Sequence, residues 1–454
     1  MMNRIGYLFS LLAMLCLPSL SNAQMSGNGV GGNAHQHAPC LLPEERAAIF
    51  EQLEENRRML GLDRGDASRS SAIDDLIFPL QMAGEIPGYF HFQAVSGYVD
   101  QDPTSGIEDY FCNENTYNGH KGTDNFTWPF PFYLIENDMV EVVAAAPGTI
   151  IEKRDGNFDL NCSPSGGWNA VYVQHSDGSV MWYGHLKNGS LTSKSVGEAV
   201  EAGEYLGVVA SSGNSTGPHL HMEYYDSNDN LLDPYDGFCN DLNSSSLWAE
   251  QPEYIFPKVN AILTHSQQPS VECGANDEVS EFENVFSPNQ TVYLGLYMTD
   301  YQAGHIATTR VYRPDGAEFD VFNTFSNSNS YQWFWNSRAY FMNSNQPLGT
   351  WTVECTYRDV VYTHTFELRD ESTSVSSPQE NGLEVFPNPV QNQLFLNGLD
   401  LDQQDYRLVN ALGQVIDQGV VSGNPISVEG IEAGVYYLII KNGDTDIVEK
   451  VLKY

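Results

Sequence analysis

The sequence predicts a mostly β protein built from antiparallel domains. Short segments in which apolar and polar residues alternate recur along most of the 454 residues, and glycine-containing turns separate them. Aromatic residues, which favour strands, make up 12% of the chain, with 25 Tyr and 22 Phe. The length predicts about three domains, and a hydrophobic content of 41% is enough to build their cores.

The N-terminal residues 1–23 have the features of a secretion signal. Arg4 supplies the positive start, Ile5–Leu20 the apolar stretch, and Ser21-Asn22-Ala23 a small-residue cleavage site. A membrane anchor is disfavoured because the apolar run is short and Pro18 interrupts its end. We therefore expect an exported chain that has no transmembrane segment once the signal is removed.

The chain is strongly acidic, with a formal net charge of -38 and an isoelectric point near 4.3. Such a chain repels nucleic-acid phosphates and anionic membrane surfaces. We therefore expect no nucleic-acid partner.

Residues 24–74 are predicted to form an N-terminal segment with one helix. Leu41–Leu60 places apolar side chains such as Ile49 and Leu53 at helical spacing among charged residues. This helix could pack on the following domain or cover its groove before activation, and we favour packing.

Residues 75–251 are predicted to form an antiparallel β domain. Asp177-Gly178 lies between the apolar segments Ala170–Val173 and Val180–Tyr183, which is a strong hairpin signal.

Residues 252–370 are predicted to form an immunoglobulin-like β-sandwich, because short alternating strands such as Thr291–Tyr297 and Trp351–Tyr357 repeat over roughly a hundred residues. We find no catalytic cluster there. Residues 371–382 are predicted to be a linker, and residues 383–454 a small third β module.

The cysteines predict disulfide bonds. Removal of the signal leaves an even number of cysteines in an exported chain: Cys40, Cys112, Cys162, Cys239, Cys273 and Cys355. Six cysteines allow 15 pairings. The domain layout suggests Cys273 with Cys355, with the other four paired around the preceding domain. A cysteine-based zinc site is disfavoured because the chain has no C-x-x-C pair.

Five residues of the 75–251 domain are the candidates for chemistry. They are His120 and Asp124 in His-Lys-Gly-Thr-Asp, His185 in Trp-Tyr-Gly-His-Leu, and His219 and His221 in Gly-Pro-His-Leu-His. His and Asp are zinc ligands, and His is the commonest proton-transfer group near neutral pH. Alternate residues of a strand share a face, so the last two imidazoles are expected to point the same way. This set is what a metal-activated hydrolase needs.

Two other hydrolase classes fit the sequence poorly. The chain has no His-Glu-x-x-His, which excludes the helical zinc peptidases. Gly213-Asn214-Ser215-Thr216-Gly217 matches the G-x-S-x-G pattern of serine hydrolases, but a strand follows it where that class has a helix. We interpret Gly213–Gly217 as a turn that positions His219.

Residues 107–236 resemble the lysostaphin and LytM-type zinc endopeptidases. The three motifs occur in that family's order, and Ser211–Glu223 is the closest stretch. The resemblance implies an antiparallel β catalytic domain that binds one zinc ion. The zinc ligands that it implies are His120, Asp124 and His221. The residues that it implies assist catalysis beside the metal are His185 and His219.

The same resemblance implies a secreted endopeptidase for Gly-containing substrates. In this family these are usually peptidoglycan cross-links and sometimes Gly-rich proteins such as elastin, which is our alternative. An insertion at 125–138 departs from the shorter members and leaves the specificity open. Non-catalytic alternatives are a cell-wall-binding protein and an adhesin that uses the immunoglobulin-like domain. The five intact positions argue against a protein that has lost its metal.

The C-terminal module resembles the type A sorting domain of the type IX secretion system. The matching pieces are Phe386–Pro389, Asn410–Gln414, Gly434–Tyr436 and Lys450–Lys453. The resemblance implies the type IX machinery as a partner and passage across an outer membrane, followed by removal of the module or attachment to the cell surface. An ordinary C-terminal β domain is the alternative.

Overall fold

The computed structural model describes residues 23–28, 39–62, 73, 75–325, 330–370, 384–386, 388, 390–397, 404–410, 414–421, 425–442 and 445–453. Residues up to Arg369 form one compact unit, and residues from Asp370 onward form a second. The predicted linker and all of the predicted signal peptide except Ala23 lie outside the described residues. Neither helix of the described chain combines the length and apolar character that crossing a bilayer requires.

The first β domain contains two antiparallel sheets. The elements up to its end are β1 (Ala23–Asn28), α1 (Pro43–Leu60), β2 (Leu80–Met82), β3 (Gln93–Gly97), β4 (Thr123–Thr127), α2 (Pro131–Glu136), β5 (Val140–Val143), β6 (Gly148–Arg154), β7 (Ala170–Gln174), β8 (Val180–Gly184), β9 (Ala199–Val200), β10 (Tyr205–Val208), β11 (His219–Tyr225) and β12 (Leu231–Leu232). The larger sheet has the order β3-β4-β11-β8-β7-β6-β9, with β12 also on β11, and the smaller has the order β10-β5-β2.

The hairpin predicted from Asp177-Gly178 is confirmed. β7 and β8 pair antiparallel through Val171 with Tyr183 and Gln174 with Val180. Gly178 lies in the left-handed region at φ 86°, which glycine adopts without the steric cost of a Cβ. Alternate residues of these strands and of β11 enter a common apolar core with β5. Burial of these side chains in the core therefore fixes the register of the strands that carry the candidate residues.

Helix α1 packs on the outer face of the large sheet. It begins at Pro43, two residues later than predicted, because proline suits the first helical position and the Glu45 carboxylate accepts the Leu42 N–H at 2.8 Å. Ile49 and Leu53 are fully buried in a cluster that includes Trp182 of β8. The helix therefore packs on the following domain, which is the arrangement that the sequence analysis favoured.

The middle domain is a two-sheet sandwich, as predicted. Its strands are β13 (Lys258–His265), β14 (Ser270–Val271), β15 (Glu278–Val279), β16 (Val285–Phe286), β17 (Gln290–Tyr301), β18 (Ala307–Tyr312), β19 (Glu318–Thr324), β20 (Tyr331–Met342), β21 (Gly349–Tyr357) and β22 (Val360–Leu368). The sheets have the orders β1-β20-β17-β13 and β16-β22-β21-β18-β19, and they share an apolar core around Trp351.

The two domains pack closely on each other. Trp128 and Phe130, on either side of Pro129, join Leu263 and Tyr297 of the sandwich in one buried cluster. The Glu278 carboxylate of β15 accepts the N–H groups of Phe132 and Tyr133, at 3.1 and 2.7 Å, at the start of α2. Through these contacts the sandwich packs directly against the segment 125–138.

The suggested Cys273–Cys355 bond is wrong, and of the other four cysteines only Cys112 and Cys239 pair with each other. The bonds are Cys112–Cys239 and Cys162–Cys273, whereas Cys40 and Cys355 are free and buried. Cys355 lies within a strand of the sandwich and faces its apolar core. Cys273 instead lies between β14 and β15 and reaches the first domain. Shared domain membership was therefore a poor guide to the pairing, because one bond joins the two domains.

The C-terminal unit is a small β module, as predicted. Its strands are β23 (Glu384–Phe386), β24 (Gln393–Asn397), β25 (Asp405–Asn410), β26 (Val415–Val420), β27 (Ile426–Ser427), β28 (Gly434–Asn442) and β29 (Thr445–Lys453). Their orders are β23-β24-β27 and β26-β25-β28-β29, around a core that includes Leu394, Leu438 and Val451.

A buried acid in the first domain gives a prediction about pH and stability. Asp233 is fully buried and accepts hydrogen bonds from Tyr235 N at 3.1 Å and Gln101 Nε2 at 2.8 Å. Burial raises the pKa of this carboxyl group to about 7, so the folded state holds a proton that the unfolded state has lost. The free energy of unfolding should therefore fall by up to about 1.4 kcal/mol per pH unit between roughly pH 4 and pH 7.

Asp233→Asn should remove that contribution. We measure the free energy of unfolding of both proteins with urea. The value for the variant, taken relative to that of the parent protein, should be higher at pH 8 than at pH 5. Asp241→Asn, at an exposed position, is the control for loss of one negative charge. Parallel pH profiles for the parent and Asp233→Asn would contradict the assignment.

Candidate metal centre

Pairing between β4 and β11 brings the first and last motifs together. His221 lies directly opposite Asp124, and His219 lies opposite Phe126. Opposed residues of an antiparallel pair have neighbouring side chains. Leu220 points to the other side and is buried in the apolar core. The predicted shared face of His219 and His221 is therefore present, and it also carries Asp124.

The first motif turns tightly before β4. A Cβ on Gly122 would lie 2.5 Å from Met222 O and 2.8 Å from the His221 ring, so only glycine fits there. This close approach lets the chain place His120 before the strand while Asp124 lies on it. The His120 ring stacks on the Tyr117 ring, and the two ring centroids are 4.1 Å apart.

His185 is placed by the end of β8. It has a left-handed φ of 65° and is fully buried. A Cβ on the preceding Gly184 would lie 2.2 Å from the Trp168 ring. The ring centroids of His185 and His219 are 4.5 Å apart. All five predicted residues are therefore gathered at one place.

Three imidazole nitrogens of the site lie close to one carboxylate oxygen. Asp124 Oδ1 lies 2.6 Å from His221 Nδ1, 3.2 Å from His120 Nε2 and 3.5 Å from His219 Nε2. His120 Nε2 and His221 Nδ1 are 3.3 Å apart. Two imidazole nitrogens and a carboxylate oxygen at such separations, buried together, could hold a metal ion.

In each of the four histidines of the site, the ring nitrogen that faces away from the ligand cluster makes a hydrogen bond to an acceptor oxygen. The four contacts are His120 Nδ1 to Tyr98 O at 2.6 Å, His185 Nδ1 to Ser212 O at 2.5 Å, His219 Nδ1 to Gly217 O at 2.8 Å and His221 Nε2 to Glu223 Oε1 at 2.8 Å. Donation from one nitrogen leaves a lone pair on the other. Hydrogen bonds of this kind orient metal-binding imidazoles in proteins.

The remaining nitrogens of His185 and His219 are buried polar atoms that need an explanation. Neither Nε2 atom makes a hydrogen bond of ordinary geometry among the described residues. Buried nitrogens are rarely left without a partner. Their position beside the ligand cluster suits groups that exchange a proton with a bound molecule.

The electrostatics of the site favour an anionic Asp124. Burial by itself raises the pKa of this carboxyl group, but the surrounding imidazoles outweigh it and hold the pKa well below its ordinary value. Burial also raises the pKa of Glu223, but nearby Arg46 brings it down to about 2. Burial and the neighbouring His219 lower the pKa of His185. A neutral His185 near pH 7 can therefore accept a proton.

The sequence predictions missed two residues of the site. Glu223 continues the alternation of His219 and His221, so the period of two residues along β11 could have revealed it. Cys40 lies just before α1, and its thiol belongs to a buried group with Asp124, His219 and His221 whose ligand atoms all lie within 4.8 Å of one another. No local signal pointed to Cys40.

The interpretation of Gly213–Gly217 as a turn agrees with the structure. Ser215 Oγ makes hydrogen bonds with Ser211 Oγ at 2.7 Å and Gly217 O at 2.8 Å. The segment is followed directly by β11, so the nucleophile geometry of a serine hydrolase is lacking.

Glu223 should support metal binding without touching the metal. We expect Glu223→Gln to lower metal affinity by about 10- to 100-fold, the usual range for outer hydrogen-bond partners, because the charge on the acceptor of the His221 N–H is lost. Competition with a chromophoric chelator measures this. Glu85→Gln, at an exposed position, is the control, and equal affinities for both variants would contradict the role.

The antiparallel sheet thus carries a buried His–Asp cluster, which is a candidate metal site. Residues 134–234 match Peptidase family M23, and residues 384–454 match the Secretion system C-terminal sorting domain family. The chain thus carries an M23 peptidase domain of the LytM/lysostaphin family and a type IX sorting domain. The M23 match includes His185, His219 and His221 and begins ten residues after Asp124.

Similarity to curated relatives is confined to part of each chain. The DD-carboxypeptidase/endopeptidase Mpg of Neisseria meningitidis is 41% identical over 81 residues, which are 18% of this chain and 18% of that protein. The cell division protein DipM of Caulobacter vibrioides is 32% identical over 114 residues, or 22% and 18% of the two chains. The chain therefore matches about a fifth of the length of these relatives.

Among solved structures, the catalytic domain of the antimicrobial peptidase lysostaphin from Staphylococcus simulans is 26% identical. The match covers 31% of this chain and 87% of that one, with a TM-score of 0.20. The two matched segments are thus similar to a peptidase family and to a family of secretion sorting domains.

Proposed function

We propose that this protein is a secreted zinc-dependent endopeptidase that cleaves peptide bonds in Gly-containing substrates, with peptidoglycan cross-links as its target. The observation that carries the proposal is the convergence of His120 Nε2, Asp124 Oδ1 and His221 Nδ1 on one buried point. His nitrogen with carboxylate oxygen is a donor set that suits Zn²⁺.

The donor set fits that of a catalytic zinc site, which has three protein ligands and an open position. When bound, zinc lowers the pKa of a water molecule toward neutrality and polarises the scissile carbonyl group. His120, Asp124 and His221 would hold the ion. The outer acceptors Tyr98 O and Glu223 keep the two imidazoles in the orientation that ligation requires.

His185 and His219 are proposed to move the proton. Each donates its Nδ1–H to a backbone carbonyl, so each ring has a lone pair on Nε2 when it is in its neutral form. That atom can take a proton from the attacking water as a general base. Once protonated, it can donate to the oxyanion or to the leaving amine. The two Nε2 atoms, which make no hydrogen bond among the described residues, are the groups available for these steps.

Peptidoglycan is proposed as the substrate because of the relatives and the export signal. The Neisseria relative is named DD-carboxypeptidase/endopeptidase Mpg, and export would place the chain where it meets bacterial cell walls. The insertion at 125–138 begins next to Asp124, and its Trp128 and Phe130 pack against the sandwich. Both the insertion and the sandwich would therefore lie near a bound substrate.

The test is cleavage of purified peptidoglycan, of a quenched oligoglycine peptide and of elastin, each with and without a zinc chelator. The mature protein and its Cys40→Ser variant, which lacks the thiol near the ligands, are assayed together. Chelator-sensitive cleavage that zinc restores is the expected result. Preference for elastin over the other two substrates would make Gly-rich proteins the target instead of peptidoglycan. The absence of cleavage by either protein with zinc bound would contradict the proposed endopeptidase activity.

A further inference from the structure

The thiol of Cys40 lies inside the candidate metal centre. The residue is 7% exposed, and its Sγ is 3.1 Å from Tyr117 Oη and 3.5 Å from His221 Nδ1. The same sulfur lies within 4.8 Å of the ligand atoms of Asp124 and His219. Thiolate sulfur is a preferred zinc ligand, so the residue type and the position point to the same chemistry.

Helix α1 holds the thiol in place from one side. Its first buried side chain, Ile49, and the neighbouring Phe50 anchor the helix on the sheet, and the Phe50 ring lies 5.0 Å from that of Trp182. Arg46 forms a buried ion pair with Glu223 and donates to Tyr225 Oη at 2.7 Å. Because Glu223 also accepts from His221, the helix and the metal centre share one hydrogen-bond network.

The other free cysteine has a different environment. Cys355 is buried in the apolar core of the sandwich, among residues such as Val353 and Trp351. Packing therefore accounts for Cys355, whereas Cys40 is surrounded by imidazoles, a carboxylate and a phenol. The remaining four cysteines after the signal form the two disulfide bonds.

We propose that Cys40 is a fourth protein ligand of the metal ion and that residues 39–62 hold the enzyme in a closed, latent state. The proposal rests on the proposed function, because it needs a metal held by His120, Asp124 and His221. When the metal binds, the thiol would lose its proton to solvent and the thiolate would supply the fourth protein donor. A site with four protein ligands has no open position for water or substrate, so activity requires withdrawal of Cys40.

Cobalt(II) provides a direct readout of the sulfur ligand. The full mature chain is stripped of metal and loaded with Co²⁺, and its absorption spectrum is recorded. We expect a thiolate-to-cobalt charge-transfer band in the parent protein that is absent from Cys40→Ser and Cys40→Ala. Visible ligand-field bands should persist in both variants, which shows that the metal remains bound. Cys355→Ala is the matched control and should retain the charge-transfer band.

Alkylation of the thiol gives a second readout that does not depend on activity. In the Cys355→Ala protein, Cys40 is the one free thiol after signal removal. We expect iodoacetamide to modify it much more slowly with Zn²⁺ bound than after chelation. Equal rates in the two conditions would show that packing alone protects the residue, and would overturn the proposal.

Activity then tests latency. The zinc-loaded Cys40→Ser variant should cleave the substrate roughly tenfold or more faster than the parent, as expected when a closed state is removed, and Cys355→Ala should match the parent. Equal activity of Cys40→Ser and the parent would overturn latency. Cobalt binding without a charge-transfer band would overturn only the assignment of the Cys40 sulfur as a metal ligand. No metal binding by either protein would refute the proposed function as well.

Discussion

Replacing His221 by Ala is expected to abolish peptidase activity. The variant loses the imidazole nitrogen that lies 2.6 Å from Asp124 Oδ1, and with it one of the three proposed ligands. Metal affinity should fall by more than the roughly 100-fold that marks the upper range for outer hydrogen-bond partners. Metal content after dialysis and cleavage of the preferred substrate measure the two effects.

The fold of this variant should persist, which makes the loss specific. Glu223 keeps its contacts with Arg46 and Tyr225, and Asp124 keeps His120 and His219 as neighbours. Circular dichroism should therefore match that of the parent protein. His305→Ala, which removes an exposed histidine of the sandwich, is the control and should leave metal content and activity unchanged. Full activity in His221→Ala would falsify the ligand assignment.

Deleting Leu383–Tyr454 should leave catalysis intact and stop export. The deleted residues belong to a compact unit with its own core, and the unit that contains the metal centre ends before them. The purified truncated protein should therefore cleave substrate at the parental rate. In the producing cell, it should accumulate inside, and its signal in the medium and on the surface should fall to background on immunoblots.

Full-length His221→Ala is the control for export, because it lacks activity but keeps the sorting domain. Its normal appearance outside the cell would show that export does not depend on catalysis. Secretion of the truncated chain at the level of this control would refute the sorting role of the C-terminal module in this protein.

The parts of the site that alternate along strands were predictable. His219 and His221 share a face because β11 has a period of two residues, and the His-Lys-Gly-Thr-Asp motif needs its glycine for the close approach to Met222 and His221. The hairpin at Asp177-Gly178 follows from turn chemistry alone. In each case the decisive interaction is local, or it is fixed by the strand period.

Residues that join distant parts of the chain were not predictable in the same way. Cys40 and His221 are separated by 181 positions, and nothing around Cys40 indicates which groups it meets. The even number of cysteines suggested that all would pair, although the structure leaves two free. Parity constrains the number of possible bonds, but side-chain position in the folded chain decides which of them form.

The Cys162–Cys273 bond lies beside the turn that precedes His219. Cys273 Sγ is 3.5 Å from Thr216 O, and Asn161, next to Cys162, donates its Nδ2–H to Gly213 O at 2.9 Å. The bond thus anchors this turn to the sandwich, and the loop that it closes contains His185, His219 and His221. Closing a loop with a sequence separation of 111 residues stabilises the folded state by roughly 4–5 kcal/mol in the chain-entropy model.

Thiols stay reduced in the bacterial cytoplasm and are oxidised beyond the inner membrane. Reduction of Cys162–Cys273 removes this covalent link, so the turn before His219 is then tied to the sandwich by non-covalent contacts alone.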